Sequence, residues 1–328
     1  MIEIGIALSS EELGPDELVR DAAMAEDAGF AFAAISDHFH PWTSRQGQSP
    51  FVWAVLGGIA SATNRLEVGT MVTCPTIRTH PAIVAQAAAT TAAMMPGRFY
   101  LGLGSGENLN EHITGDVWPR AGVRIDMLEE AVEIIRRLWT GHNVSYDGAY
   151  FTLSNARIYT LPDELPPIYM AAAAPRAAHL AGRVGDGLIT TSADGELVQA
   201  FSAEGNKGPK FGQLAVCIEK DDERALKLAT ELWPTSVLKG SFKQELALPK
   251  HFEEATSDVT RDQVAKEIIC TKDVRQHVEA IQQFAESGFD RLYIRATGDF
   301  QLFLDFYRDE VMPALQGQAT LGPVRKAA

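Results

Sequence analysis

Cysteine is scarce in this sequence, and its scarcity excludes folds held together by cross-links or structural metal ions. The chain has 3 cysteines among 328 residues. Cys74, Cys217 and Cys270 lie far apart, so neither a disulfide framework nor a zinc cluster is expected. The histidines do not show metal-ligand spacing either, and we therefore predict no metal site.

The sequence also has few positively charged residues and no long apolar run. Against 43 Asp and Glu residues there are only 29 Lys and Arg, which gives a formal net charge of -14 and a pI near 5.0. Nucleic acid and anionic membrane surfaces bind positive patches, so neither is expected as the main partner. No apolar run approaches the roughly 18 residues of a membrane-spanning helix, and the amino terminus lacks the basic region of a signal peptide. We expect a cytoplasmic protein that acts on a small molecule.

Apolar residues are abundant, at 46% of the chain against 22% charged residues. A chain of this length and composition can bury a large core, either as one barrel with insertions or as two smaller domains. We expect one compact domain spanning residues 1–328.

Two sequence periods alternate along the chain, which indicates strands followed by helices. Strands are predicted at residues 3–8, 30–35, 66–72, 99–103, 167–172, 187–191, 211–218 and 291–294. Helices are predicted at residues 15–28, 51–62, 81–95, 128–139, 175–184, 274–287 and 300–315, with a weak one at 196–201.

Eight strands with helices between them favour an α/β fold of the (β/α)₈ barrel type over a doubly wound sheet. A dinucleotide-binding sheet would carry a glycine fingerprint in its first strand-helix turn, and residues 9–14 lack it. Insertions are expected at about 104–122, at 142–166 with a small hairpin around Asp147-Gly148, and at 234–261. Residues 192–210 and 234–261 are predicted to be mobile loops over the active face.

The stretch that follows the second predicted strand carries the most chemistry. Asp37, His38 and Trp42 lie where that strand opens into a loop, which is the end of a parallel barrel where active sites form. Imidazole can carry a proton near neutral pH, while the carboxylate can orient a ligand and the indole can form a wall. Each residue has a structural alternative, since His38 could be a rim histidine bonded to Asp37 and Trp42 could serve packing alone.

Two neighbouring loops add further candidates on the same rim. They hold Met71, Val72 and Thr73 after the third strand, and Gly104, Ser105, Gly106, Glu107 and Asn110 after the fourth. A Gly-x-Gly turn lets a ligand approach the backbone closely, and Glu107 and Asn110 offer an acceptor and an amide. The turn could equally be an ordinary tight turn, and Glu107 a helix cap or an ion-pair partner.

Several motifs occur together between about residue 3 and residue 315. They are Ser36-Asp37-His38-Phe39-x-Pro41-Trp42, Gln46-Gly47-x-x-Pro50-Phe51, Thr63-Asn64-Arg65-Leu66, Gly69-Thr70, Gly104-x-Gly106-Glu107-x-x-Asn110 and Ala181-Gly182-Arg183-x-Gly185-Asp186-Gly187. As a set they resemble the F420-dependent glucose-6-phosphate dehydrogenase family of bacterial luciferase-like barrels. The resemblance implies coenzyme F420, a homodimer, and a nonprolyl cis peptide at Met71-Val72.

The resemblance also implies roles for individual residues. The implied cofactor-binding residues are Asp37, Met71, Val72, Thr73, Gly104, Ser105, Gly106, Glu107, Asn110, Ala173 and Ala174. His38 would take the proton of a substrate hydroxyl while hydride leaves the same carbon for C5 of the deazaflavin. Trp42 would wall the pocket, and Glu107 would assist proton balance at the ring.

Departures from the family pattern bear on the substrate. The positions aligned with three basic phosphate-binding residues are Asp194, Lys243 and Glu267, of which only Lys243 is basic. Two carboxylates would repel a phosphate dianion, so glucose 6-phosphate is not the expected substrate. Four alanines, 171–174, stand where a Gly-Gly pair follows the alanines in the family, and their methyl groups limit how closely a cofactor tail can approach.

Three functions remain open at the level of sequence. The first is an F420-dependent dehydrogenase of an alcohol or an unphosphorylated sugar, working in either direction. The second is an FMN-dependent luciferase-like monooxygenase on the same barrel, and the third is a noncatalytic F420-binding protein. Fold resemblance alone does not separate them, because one fold supports many chemistries.

Overall fold

Eight parallel strands close into a barrel in the computed structural model, which describes residues 2–319. In chain order the strands are β1 (Glu3–Leu8), β2 (Phe32–Ile35), β3 (Glu67–Thr70), β4 (Phe99–Leu103), β5 (Val144–Asp147), β6 (Thr152–Ala156), β7 (Ile168–Ala171), β8 (Gly187–Ile189), β9 (Lys210–Ile218) and β10 (Arg291–Gly298). The antiparallel pair β5-β6 lies outside the barrel, and β10 pairs with β1 to close it. The predicted (β/α)₈ barrel and its hairpin are confirmed.

Helices surround the barrel and fill the longer connections. They are α1 (Pro15–Asp27), α2 (Val52–Ala62), α3 (Pro81–Met94), α4 (Asn108–Glu111), α5 (Ala121–Leu138), α6 (Pro175–Val184), α7 (Gly195–Ala203), α8 (Asp222–Leu232), α9 (Phe242–Glu245), α10 (Pro249–Ala255), α11 (Arg261–Val264), α12 (Val274–Glu286), α13 (Phe300–Phe306) and α14 (Met312–Ala319). A π-helical turn, Tyr307–Val311, joins the last two.

Two segments predicted to be mobile loops contain helices. Within residues 192–210 the weak helix predicted at 196–201 is present as α7, which packs beside α6 between β8 and β9, with Leu197 and Phe201 buried. Residues 234–261, predicted to be irregular, contain a 3-10 turn and the short helices α9 and α10. The sequence analysis also missed α8, whose buried stripe is only Ala225 and Ala229 among charged residues. Short or alanine-based stripes give little periodic signal.

Aromatic side chains fill the interior of the barrel below its active face. The inward-facing cluster includes Phe32, Tyr100, Phe211 and Tyr293, and the Tyr100 and Tyr293 hydroxyls lie 2.8 Å apart. Tyr100 also donates to the Ala33 carbonyl oxygen at 2.6 Å, so the buried hydroxyl groups are satisfied. This plug forms a floor, and the carboxyl ends of the strands rise above it as the walls of a site.

The outer shell places apolar faces of the helices against the strands. In α5 the buried residues include Leu128, Ala131, Ile135 and Leu138, which recur at helical spacing. No helix within residues 2–319 combines the length and the apolar character needed to cross a membrane.

Candidate active site

His38 stands at the centre of a group of side chains above β2. Its Nε2 lies 3.3 Å from a carboxylate oxygen of Glu11 and 3.8 Å from one of Glu107. Its Nδ1 lies 3.1 Å from the carbonyl oxygen of His40. A carbonyl oxygen only accepts, so Nδ1 carries a hydrogen, and Nε2 is the nitrogen that can gain or lose a proton beside the two carboxyl groups.

Glu11, in the loop after β1, is the buried partner of His38. Its carboxylate accepts hydrogen bonds from Ser9 at 3.0 Å and from Ser36 at 2.6 Å. Burial raises the pKa of Glu11, but His38, Ser36 and Ser9 together outweigh it, and the pKa is lowered overall. Glu11 is therefore held as a carboxylate that can stabilise a protonated imidazole.

Glu107 faces His38 from the other side, at the start of α4. Burial raises its pKa, nearby Glu11 raises it further, and His38 and Lys243 oppose the rise. Asn110 fixes this turn to the loop after β2, because its side-chain oxygen accepts from the Phe39 backbone N–H at 2.9 Å. Its amide nitrogen donates to Glu107 at 3.3 Å. The two predicted loops thus form one hydrogen-bonded unit.

Trp42 connects this unit to the segment between β9 and α12. Its indole ring lies 5.1 Å from the His38 ring and 5.2 Å from the ring of Phe252 in α10. The indole also packs against a cluster that contains Trp233 and Ile268. Trp42 therefore has both the position of a pocket wall and a packing role.

The bulge after β3 forms a second side of the site. The cis peptide expected at Met71-Val72 is present, and both side chains pack against the aromatic plug. Thr73 donates to a carboxylate oxygen of Asp37 at 2.8 Å, and Arg78 donates to the other at 2.9 Å. Asp37 is buried and has a partner on each oxygen, so it fixes the bulge whether or not it also touches a ligand.

The glycines of the 104–106 turn are required by close contacts. A methyl group built at Gly104 would lie 2.5 Å from Cγ2 of Val72, and one at Gly106 would lie 2.6 Å from the Cys74 sulfur. Gly106 also has a φ of +81°, which favours glycine. Ser105 is partly exposed on the rim between them. The turn therefore has a structural reason for its glycines as well as an open face.

Ala173 and Ala174 lead into α6 on the same rim. Both are exposed, and Ala174 is the N-cap of α6, where no side chain caps the first turn. Backbone N–H groups at such a helix start are suited to an anionic group.

The three predicted substrate-pocket positions are not equivalent. Lys243 on α9 lies near Glu107, and burial lowers its pKa to about 8. Glu267 is paired with Lys239 at 2.5 Å, so its charge is already balanced. Asp194 caps α7 by accepting from the Glu196 backbone N–H at 2.9 Å. The expectation that both carboxylates repel a phosphate assumed that neither had a partner. In the structure each carboxylate has a partner of its own.

Several site residues escaped the sequence analysis. Glu11 and Glu12 were considered only as part of a turn that lacks a glycine fingerprint, Arg78 was not considered, and Arg295 was placed outside the predicted strand, which ends at residue 294. Position along the chain could have indicated these residues, because Glu11 and Glu12 lie in the loop after β1 and Arg295 lies in the second half of β10. Their pairing with residues far along the chain could not be seen without the closed barrel.

Comparison with known proteins places the chain in a family. Residues 1–291 match the luciferase-like monooxygenase family. An F420-dependent glucose-6-phosphate dehydrogenase of Nocardia farcinica is 37% identical, with 97% of this chain and 99% of the relative covered. The structure of an F420-dependent secondary alcohol dehydrogenase, in complex with an F420-acetone adduct, is 33% identical with a TM-score of 0.88. That match covers 96% of this chain and 99% of the other.

A more distant structure shares the fold alone. The coenzyme F420-dependent tetrahydromethanopterin reductase of Methanopyrus kandleri is 19% identical with a TM-score of 0.78, over 96% of this chain and 99% of the other. The full-length identity to the first relative and the match to the family carry the assignment. This chain belongs to the luciferase-like monooxygenase family and, within it, to the group of F420-dependent glucose-6-phosphate dehydrogenase-like proteins.

Proposed function

We propose that this protein is an F420-dependent dehydrogenase that transfers hydride between a carbinol carbon and C5 of the deazaflavin. The carbon belongs to an alcohol or an unphosphorylated sugar, and the reaction can run in either direction. The observation that carries the proposal is the position of His38 Nε2, 3.3 Å from Glu11 and 3.8 Å from Glu107. The relatives that depend on F420, one of them a secondary alcohol dehydrogenase, support the cofactor and the reaction type.

His38 is the proposed general base. With its Nδ1 hydrogen directed at the His40 carbonyl, Nε2 can accept the hydroxyl proton of the substrate. The carboxylate of Glu11 then stabilises the imidazolium that forms. Glu107, whose raised pKa makes it easier to protonate, can relay a proton between the pocket and solvent.

The rim residues fit a flat cofactor with an anionic tail. The side chains of Met71 and Val72 cover the floor, the Gly104 turn leaves an open backbone face, and the uncapped start of α6 follows Ala173 and Ala174. The residues proposed to hold F420 are Asp37, Met71, Val72, Thr73, Gly104, Ser105, Gly106, Glu107, Asn110, Ala173 and Ala174. When bound, coenzyme F420 supplies the hydride acceptor or donor at C5 of its ring. The protein contributes position, charge and proton transfer.

Glucose 6-phosphate is not the proposed substrate. Only Lys243 of the three aligned phosphate positions is basic, and Lys239, which is near it, is engaged by Glu267. A phosphate dianion at this place would meet the carboxyl group of Glu107 as well as Lys243. We further propose, from the family resemblance alone, that the protein works as a homodimer in the cytoplasm.

A titration with F420 and with FMN tests the proposal. Purified protein is expected to bind F420 in preference to FMN, and to change the deazaflavin absorbance with at least one member of an alcohol and sugar panel. Tight FMN binding with oxygen consumption would instead indicate a monooxygenase. F420 binding with no turnover on any panel member would indicate a noncatalytic binding protein. Glucose 6-phosphate as the best substrate would overturn the substrate proposal.

A further inference from the structure

The two carboxylate oxygens of Glu11 have different partners, and only one of them faces His38. Oε2 accepts hydrogen bonds from the hydroxyl groups of Ser9 at 3.0 Å and Ser36 at 2.6 Å. Oε1 lies 3.3 Å from Nε2 of His38. Ser9, Glu11 and Ser36 are all buried, so these contacts are shielded from water. The two serines therefore fix which oxygen of Glu11 the imidazole meets.

The neighbours of Ser36 direct its hydroxyl hydrogen at Glu11. Oγ of Ser36 accepts from the Ser10 backbone N–H at 2.9 Å, and Oγ of Ser10 donates to the Ser36 carbonyl oxygen at 2.9 Å. The Ser10 hydrogen is thus used, because a carbonyl oxygen only accepts. The Ser36 hydrogen can go to Glu11 at 2.6 Å, to the Ser10 hydroxyl at 2.9 Å or to the Leu8 carbonyl at 3.5 Å. The carboxylate is both the nearest and the only charged acceptor, so it takes the hydrogen.

This hydrogen bond supports the negative charge that Glu11 presents to the imidazole. Burial raises the pKa of Glu11, and among the groups that oppose burial His38 comes first and Ser36 second. An anion beside Nε2 favours the protonated ring. Without the Ser36 hydroxyl, the buried carboxylate would lose a donor and take up a proton more readily. The imidazolium would then lose its counter-charge.

We propose that Ser36 is a positioning residue of the proton-transfer site, which acts through Glu11 and sets the pH at which His38 exchanges its proton. This inference rests on the proposed function and adds a residue that bonds to Glu11 rather than to the imidazole. The sign follows from the charges. When the Ser36 hydroxyl is removed, His38 holds its proton less tightly, and the midpoint of its protonation moves to lower pH.

Other charged groups surround Glu11 and His38 and stay in place when Ser36 is changed. They are Glu12 and Arg295 near Glu11, Asp37 with its partner Arg78, and Glu107 with Lys243 near it. Within residues 2–319 none of them is hydrogen-bonded to Ser36. A shift caused by removing this hydroxyl can therefore be assigned to Glu11.

Ser36→Ala tests the inference by NMR and by kinetics. In the full-length protein with isotope-labelled histidine, the His38 signal is the one missing from His38→Ala, and its titration gives the midpoint. The midpoint in Ser36→Ala is expected about 0.5–1 pH unit below that of wild type. A hydrogen bond to a charged group changes its proton affinity by roughly one pH unit or more, and part of this change reaches the neighbouring ring. The low-pH limb of alcohol oxidation with F420 should move by the same amount.

Ser10→Ala is the matched control. Ser10 is fully buried in the same network, but its hydroxyl donates to the Ser36 carbonyl oxygen rather than to Glu11. Its loss should leave the midpoint unchanged. In a Glu11→Gln background Ser36→Ala should cause no further shift, because the effect of Ser36 passes through the carboxylate. Urea unfolding checks that each variant folds. Ser9→Ala removes the other donor to the same oxygen, so it replaces Ser36→Ala, with a shift in the same direction, if that variant does not fold.

The inference is wrong if folded Ser36→Ala keeps the wild-type midpoint, if Ser10→Ala shifts it equally, or if a further shift appears in the Glu11→Gln background. The two readouts separate this inference from the proposed function. If the His38 midpoint moves while the pH limb of turnover stays, Ser36 controls the imidazole and His38 is not the base. If turnover depends on His38 and neither readout moves, the proposed function stands and the role of Ser36 fails.

Discussion

The proposed role of His38 as a proton carrier depends on three neighbours that fix its imidazole ring. The His40 carbonyl sets which nitrogen carries the hydrogen, and Glu11 and Glu107 flank the other nitrogen. Ser9 and Ser36 in turn hold the Glu11 carboxylate. If His38 is the base, as proposed, its ring does not have to move to accept a hydroxyl proton.

Replacing His38 by Ala should therefore remove the proton transfer and spare the cofactor. Turnover in the direction of alcohol oxidation is expected to fall by about 10²- to 10⁴-fold, the usual range for a general base. The affinity for F420 should stay within a few-fold of wild type, because His38 is not among the residues proposed to hold the cofactor. Stopped-flow absorbance at the deazaflavin band measures the first quantity, and fluorescence titration measures the second.

A histidine at the surface provides the control. His179 is exposed and paired with Glu204 at 2.8 Å, so His179→Ala should turn over at the wild-type rate. If His38→Ala kept more than a tenth of wild-type turnover, another group would have to be the base.

Prediction from sequence at the residue scale is most direct where chemistry and position coincide in one short stretch. Asp37, His38 and Trp42 were identifiable because they follow a strand end, and their assignment to one site required no long-range information. Glu11 could not be identified, since two adjacent glutamates in a surface-like turn look solvated. Only the pairing of β1 with β2 brings Glu11 to His38.

At the scale of elements, α9 is held in place by contacts with α4 and α5. Arg124 on α5 is fully buried and lies 3.2 Å from the Glu245 carboxylate, and its guanidinium covers the ring of Trp118. Asn108 on α4 donates to the Glu245 carbonyl oxygen at 3.0 Å. These contacts position the short helix that carries Lys243.

Arg124→Met should therefore loosen α9 and weaken substrate binding more than chemistry. Breaking a buried pair by removing one partner costs about 3–5 kcal/mol, and the exposed side of Glu245 reduces that figure to about 1–3 kcal/mol here. Hydrogen exchange in residues 238–249 should speed up, and KM should rise with little change in kcat. Exchange mass spectrometry and steady-state kinetics provide the two measurements.

A lysine–glutamate pair in the neighbouring helix α10 tests whether loss of any positive charge would loosen α9 and raise KM. Lys250 and Glu254 form an exposed i,i+4 pair at 3.5 Å, and Lys250→Met should leave both exchange and KM unchanged. Equal effects of the two substitutions would mean that Arg124 does not hold α9.

Helix α2 offers a prediction about packing from two adjacent glycines. A methyl group at Gly57 would meet only the terminal methyl of Met94, at 3.9 Å, whereas one at Gly58 would lie 2.7 Å from a methyl of Val19. Gly57→Ala should raise the free energy of unfolding by about 0.5–1 kcal/mol, the usual gain in a helix interior. Gly58→Ala should lower it, because α1 and α2 would have to separate. Urea unfolding of both variants checks the sign, and equal effects would refute the packing argument.

The order of elements was predictable, and the exceptions have a physical reason. Buried parallel strands are short apolar runs, and helices such as α5 have wide apolar stripes, so both periods are visible in the sequence. Helix α8 packs on β9 and β10 through only two buried alanines, Ala225 and Ala229, and of α9 and α10 only Phe252 is buried, so none of the three has a wide apolar stripe. Their helicity comes from tertiary contacts that a periodicity analysis cannot detect.

At the scale of the whole molecule, the protein has a net charge of -14 and buries several of its carboxyl groups. Burial raises the pKa of Glu12 and of Glu111 from 4.5 to about 7 each. Glu11 and Glu26 behave in the opposite way, because hydrogen bonds and charges outweigh burial and lower their pKa. The two groups of carboxyls give stability opposite dependences on pH.

The sign of each dependence follows from proton linkage. A carboxyl with a raised folded-state pKa stabilises the fold fully below its unfolded pKa of 4.5 and loses that contribution as the pH rises through about 7. A carboxyl with a lowered pKa stabilises the fold above 4.5 and loses its contribution as the pH falls through its folded value. The free energy of unfolding should therefore peak on the acidic side of neutrality.

Between pH 5.5 and pH 8, the wild-type free energy of unfolding is expected to fall by about 1–2 kcal/mol for each of Glu12 and Glu111. In the double variant Glu12→Gln, Glu111→Gln the slope should flatten, because neither amide titrates. Urea unfolding at several pH values measures the slope. Glu129→Gln, which removes one exposed carboxylate, provides the control for net charge and should keep the wild-type slope. A double variant as steep as wild type would mean that the loss of stability comes from overall repulsion and not from these two buried carboxyls.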